Sequence, residues 1–181
     1  MKTWYHVVRD ARLIYLNRDR FAYLYGANGE CPKTYGEAKK LVDGLWSAYP
    51  SHFDQYVTKK GYTRNQLIYH VIGRICYDCS AFVCAVTQSE GDIYDLRVVT
   101  DYSSSTLHNL GKNRTTVANG LWGNMLWKQG HVAIDVGNGL AIDFGAEFAD
   151  VREYRLSDPG STVFTDSSSL PWVDYTDGIN Y

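Results

Sequence analysis

No stretch of this 181-residue chain is both long and apolar enough to span a bilayer, and no run of lysine or arginine stands out along it. The first absence argues against membrane insertion. The second argues against a nucleic-acid partner, since eighteen basic and twenty acidic residues leave a formal charge of -2 and no basic stripe for phosphates. The start also lacks a signal peptide's apolar region, because Lys2, Arg9, Asp10 and Arg12 interrupt it. Export by that route is not expected, and synthesis is expected to end in the cytoplasm. Cysteine is too sparse and too crowded for a disulfide scaffold: of four, Cys76, Cys79 and Cys84 lie within nine residues and Cys31 stands apart. Thiols are expected, one of them reactive. No internal repeat or long low-complexity tract is visible.

What is present is enough apolar surface for one core. Hydrophobic residues are 45% of the chain and charged ones 21%, so burial can offset the chain entropy of folding. The length suits one domain, with room for a sizeable insertion. Fifteen Tyr and five Trp suit an open groove for sugars or peptides, and equally an aromatic core.

Residues 4 to 24 read as a helical or extended segment, and Tyr25-Gly26-Ala27-Asn28-Gly29 as a loop. Ala38, Leu41, Val42, Leu45 and Trp46 repeat at helical spacing behind Thr34, with Glu37 placed as its capping-box partner, which predicts a helix over Thr34 to Tyr49. A second helix is predicted over Thr63 to Ile75. The uninterrupted run Ala81-Phe82-Val83-Cys84-Ala85-Val86 suits a helix buried on most sides, with Cys79 in its first turn. Asp92 to Arg114 reads as loop and short irregular elements. Met125-Leu126-Trp127, His131 to Val136 and Leu140 to Phe144 read as an antiparallel meander, turned at Gly137-Asn138-Gly139. Asp166 to Tyr181 reads as edge or linker material.

A cysteine peptidase needs a thiolate, a base to make it, and a polar group to hold the base in the useful tautomer. Cys79, His131 and Asp143 fit those roles. A helix N-terminus aims N–H groups at the sulfur, favouring the thiolate and leaving donors for an oxyanion, and Asp78 can cap that helix. His131 opens one strand and Asp143 lies twelve positions on, in the next, so a hairpin brings their side chains to one side.

These residues also carry a family pattern. Asp78-Cys79-Ser80-Ala81-Phe82-Val83 resembles the nucleophile motif of the NlpC/P60 papain-like cysteine peptidases, and Gly130-His131-Val132-Ala133-Ile134-Asp135-Val136-Gly137-Asn138-Gly139 resembles their histidine strand pair. Gly123-Asn124-Met125-Leu126-Trp127 is similar to the strand before it, with Asn124 where Asp is usual. Tyr23-Leu24-Tyr25-Gly26 resembles the family's approach to the site, which implies that Tyr23 and Tyr25, with Asp78 and Ser80, line the substrate cleft. In the family that Tyr-Gly segment lies closer to the cysteine; here about residues 30 to 74 intervene, which implies a helical insertion. The third catalytic position is usually His, so Asp143 is a less usual occupant. The resemblance implies an α+β papain-like fold over residues 1–165, with residues 166–181 as a tail or linker toward a cell-wall-binding domain. It further implies hydrolysis of peptidoglycan stem peptides between γ-D-glutamate and the diamino acid, by a bacteriolytic, endolysin-like enzyme with no cofactor.

Other readings of the same residues remain open: an amidase of the related CHAP type, or a wall-binding module without activity. Cys76-x-x-Cys79 is half a zinc pattern without its second half, and no strand is expected before it in the βαβ arrangement of a redox pair. Cys76 and Cys84 read as buried small hydrophobes. His6, His52, His70 and His108 read as surface or packing residues, and Asp135, Asp150 and Asp158 as solvated charges. Trp122 and Trp127 suit core and substrate platform equally.

Overall fold

Three polar side chains start three of the helices. Thr34 accepts the Glu37 N–H at 3.2 Å ahead of one, Thr63 and Gln66 exchange a full capping box ahead of another, and Asp78 accepts the Ala81 N–H at 2.8 Å ahead of a third. The computed structural model describes residues 1–145, 150–159 and 161–176, and of Lys60 only the backbone. In chain order the elements are β1 (Lys2–Thr3), α1 (Trp4–Leu16), β2 (Phe21–Tyr23), β3 (Asn28–Glu30), α2 (Tyr35–Ala48), α3 (Pro50–Lys60), α4 (Arg64–Val71), β4 (Ile75–Tyr77) and α5 (Cys79–Gln88). They continue with α6 (Ser104–Leu110), β5 (Lys112–Thr115), β6 (Met125–Lys128), β7 (His131–Gly137), β8 (Leu140–Phe144), β9 (Val151–Arg155), β10 (Asp166–Ser169) and β11 (Val173–Asp174).

The class is α+β. A six-stranded antiparallel sheet runs β5-β10-β6-β7-β8-β9, and α1 and α5 cover one face of it. On that face Val132, Ile134, Val136, Ile142 and Phe144 meet the buried run of α5 from Ala81 to Val86 and Val7, Ala11 and Ile14 of α1. Each such side chain taken fully from water stabilises by about 1.5–3 kcal/mol. The other face carries a smaller cluster of Leu126, Ala133, Ala141 and Phe164. A separate three-stranded sheet, β2-β4-β3, adjoins a helical layer of α2, α3 and α4 with its own core around Val42, Phe53 and Ile68. A helical unit therefore does occupy the stretch between β3 and β4.

Several sequence expectations need correction. Pro50 at the first turn and Gly61 in a left-handed conformation (φ 68°) bound a helix that apolar spacing did not reveal. The helix expected to reach Ile75 stops at Val71, because Gly73 adopts φ 75° and Ile75–Tyr77 joins β2 and β3 as a strand. A strand thus does precede Cys79, and β2 pairs with it in parallel. The polar stretch read as loop contains α6, capped by Ser103, and β5.

The tail is the largest correction. Asp166–Ser169 is an interior strand, paired to β5 on one side and β6 on the other, with Ser167 and Ser168 fully buried. Three serines hid it, since strands usually announce themselves with branched or aromatic residues. Ser167 is closely packed: a Cβ added to Gly120 would come 2.6 Å from Ser167 Oγ, and Asn124 Nδ2 donates to that oxygen at 3.0 Å. β11 then pairs with β1, tying the tail to the start of the chain. Positions 177–181 of the tail lie outside the described residues.

Candidate active site

Cys79 is the first residue of α5, and the Asp78 carboxylate organises the turn that presents it. Its Oδ1 accepts the Ala81 N–H and, at 2.9 Å, the Ser80 hydroxyl, while Oδ2 accepts the Gly26 N–H at 3.1 Å. The Asp78 N–H donates to the Ala27 carbonyl at 3.0 Å. These bonds join the Tyr25–Ala27 turn to the helix start. Both side chains take part in the cap, and the Asp78 side chain remains partly exposed.

Residues of β7 at odd positions, His131, Ala133 and Asp135, share a sheet face with Ala141 and Asp143 of β8, the face turned away from α5. β7 pairs with β8 from Ile134↔Ile142 to Gly137↔Leu140, with a bulge between Asp135 and Gly137; nearer its start β7 pairs with β6, through Lys128↔His131 and Trp127↔Val132. At this parting of the strands the Val132 N–H, next along the chain from His131, hydrogen-bonds the Cys79 sulfur, as does the Ser80 N–H.

His131 and Asp143 are brought together as expected, with His131 Nε2–H donating to Asp143 Oδ2 at 2.6 Å. This bond leaves Nδ1 as the nitrogen for a thiol proton. The His131 side chain is 16% exposed and that of Asp143 fully buried. The neighbouring strand supplies what sequence reading missed. Arg152, paired with Asp143 in the β8–β9 register, donates Nε to Oδ1 at 2.9 Å and Nη2 to Oδ2 at 2.6 Å, and the Tyr154 hydroxyl donates to Oδ2 at 3.1 Å. Alternation along Val151-Arg152-Glu153-Tyr154-Arg155 was the available signal. Phe164 stacks on His131, 6.0 Å between centroids and 18° between planes.

The electrostatics separate the two acids, Asp143 and Cys79. Burial alone would raise the Asp143 carboxyl, but hydrogen bonds from His131 and Arg152 outweigh it and hold the group below its ordinary value. Asp143 is a carboxylate at any neutral pH. Burial, with the nearby charge of Asp78, pushes the Cys79 thiol up to about 12 despite the Val132 and Ser80 N–H groups. The resting sulfur is a thiol, and ionising it requires a base.

Tyr25 belongs to the same neighbourhood. Burial, then the charges of Asp78, Tyr49 and Cys79, push its hydroxyl up, and its ring stacks on His52 at 3.6 Å. Tyr23 is buried on β2, and its backbone N–H donates to Asp150 Oδ1 at 2.8 Å.

Asp150 is not a solvated charge: it also accepts from His70 Nε2 at 2.9 Å and from Arg74 Nη1 at 3.2 Å, so it ties the helical layer to β2 and the start of β9. His108 likewise donates to Asp166 at 3.1 Å and stacks on Trp127. Cys76 is buried in the core of the helical layer, apart from the core that holds Cys79, and Cys84 is buried in the latter; both are free. Asp135 too is buried rather than solvated. Among the described residues no group of three or more His, Cys, Asp or Glu side chains is placed to hold a metal ion, and no helix is long and apolar enough to cross a membrane. Compared with family models, curated proteins and solved structures, the chain matches none.

Proposed function

We propose that this chain is a papain-like cysteine peptidase of the NlpC/P60 type, cutting peptidoglycan stem peptides between γ-D-glutamate and the diamino acid. The observation that carries the reading is the sulfur of Cys79 at a helix start, next to the Val132 N–H and within the field of Asp143, the buried carboxylate that orients His131. The bond cleaved and the bacteriolytic setting rest on the motif resemblance.

In this mechanism His131 Nδ1 takes the Cys79 proton as the sulfur attacks the scissile carbonyl. The Cys79 N–H, which the cap leaves unused, is the donor at the start of α5 for the developing oxyanion, which the positive end of the helix also favours. The tetrahedral intermediate collapses as the C–N bond breaks and His131 passes its proton to the leaving amine, which leaves an acyl group on sulfur. Water then gives a proton to His131 and attacks the thioester; the C–S bond breaks and the thiol is restored. Asp143 stabilises the imidazolium in both halves, and Arg152 and Tyr154 hold Asp143. No cofactor takes part.

The test is digestion of purified peptidoglycan with mass spectrometry of the released ends. New diamino-acid N-termini support the endopeptidase. New L-alanine N-termini would instead assign an amidase, and no release would assign a wall-binding module.

A further inference from the structure

β7 carries a second carboxylate on the His131 face. Asp135 lies four residues after His131, about 13 Å along the strand at its usual rise. It is only 6% exposed, and its Oδ1 accepts the Gly137 N–H at 2.8 Å. Its Oδ2 faces Gly120, where an added Cβ would approach to 3.2 Å. Among the described residues the Gly137 N–H is its one recorded hydrogen-bond partner, and no cation offsets its burial. Burial pushes its pKa up to about 6, as befits a carboxylate left without a counter-charge.

The same carboxylate lines a cavity of about 600 Å³, together with Gly120, Trp122, Arg155 and Phe164. Arg155 makes no ion pair with it. Phe164 connects this cavity to the site already described, because its ring also stacks on His131. We propose that the cavity is a substrate subsite for a primary ammonium group on a lysine-length side chain, with Asp135 as its counter-charge. The inference rests on the peptidase reading and deepens it: the ammonium would belong to the diamino residue of the stem peptide. The walls suit the methylene stem of such a side chain, and Trp122 offers a ring to the cation. One carboxylate oxygen without further oxygen ligands is a poor site for calcium or magnesium and a sufficient one for an ammonium.

The test uses the full chain as Cys79→Ala, which binds without cutting, titrated calorimetrically with L-alanyl-γ-D-glutamyl-L-lysyl-D-alanine and with the same peptide acetylated on its side-chain amine. Acetylation is expected to weaken binding about tenfold or more, the scale of a charge-assisted hydrogen bond. Adding Asp135→Asn, which keeps the acceptor for Gly137, is expected to bring the free-amine peptide down to the acetylated one's affinity and leave the latter unchanged. Equal binding of the two peptides, or no binding of either, overturns the subsite, and the acetylation arm needs no folded Asp135 variant. Turnover by the unaltered chain reads the peptidase separately: cleavage without preference for the amine keeps the peptidase and removes the subsite, and amine-dependent binding without cleavage does the reverse.

Discussion

Arg152 grips Asp143 through two parallel hydrogen bonds, 2.9 Å and 2.6 Å long, on the same carboxylate that orients His131. Asp143 is fully buried while Arg152 is 37% exposed at its side chain, so the carboxylate depends on the clamp more than the guanidinium does. Replacing Arg152 by Ala is expected to lower stability by about 2–3 kcal/mol, solvent around Arg152 keeping the loss moderate. The sign with pH is fixed by the lowered Asp143: its contribution is present above the unfolded carboxyl value and is lost as pH falls through the folded one. The Arg152→Ala protein should therefore lose less stability than the parent on acidification, so that the gap between the two narrows, and urea melts at pH 7 and at about pH 3 check it. An unchanged acid limb would refute the clamp.

Cys79 rests as a thiol, its pKa pushed up to about 12 chiefly by burial. Alkylation of Cys79 by iodoacetamide should accordingly keep climbing with pH between 7 and 10, with no plateau of the kind a preformed thiolate gives. Peptide-level mass spectrometry resolves Cys79 from the half-exposed Cys31. A rate already level at pH 7 would mean that the sulfur is ionised at rest.

Asp135 has the opposite linkage to Asp143. Its carboxyl is raised to about 6, so its contribution is full below the unfolded value and is lost as pH rises through 6. Asp135→Asn should be more stable than the parent at pH 8 by about 2–3 kcal/mol, the scale of such a shift, with the difference vanishing below about pH 4. Thermal melts across that range decide it, and a destabilised variant at pH 8 contradicts the assignment.

Stopping the chain after Thr165 removes β10 from between β5 and β6, along with β11 and its pairing to β1. The shortened chain is expected to lose cooperative melting and to be digested rapidly by trypsin. Retained two-state melting would return this segment to the status of a tail.

The central elements were legible because their signals are local: capping residues ahead of Tyr35, Arg64 and Cys79, helical spacing from Ala38 to Trp46, and alternation from Met125 to Phe144. Cys79, His131 and Asp143 followed from the same reading, as a helix start and a hairpin place them. What escaped is what only tertiary context decides. Ser167 and Ser168 form a strand through their pairing with β5 and β6, packed so closely on Gly111 and Gly120 that a Cβ at either glycine would clash with a serine. The Ser80 hydroxyl joins the Asp78 cap, a bond that depends on the turn geometry. Arg152 and Asp150 find their partners across strands and layers far apart in the chain, and Asp135 is buried by the Gly120 and Trp122 segment folding over β7.

The assignment of Cys79 as nucleophile is tested most directly by peptidoglycan turnover of Cys79→Ala beside Cys76→Ala and Asp143→Ala. Loss of about a thousandfold or more is expected for Cys79→Ala, a smaller loss for Asp143→Ala, and near-parental rates for Cys76→Ala, since a nucleophile contributes more than the group orienting its base. Cleavage by the Cys79→Ala protein at the parental rate would contradict it.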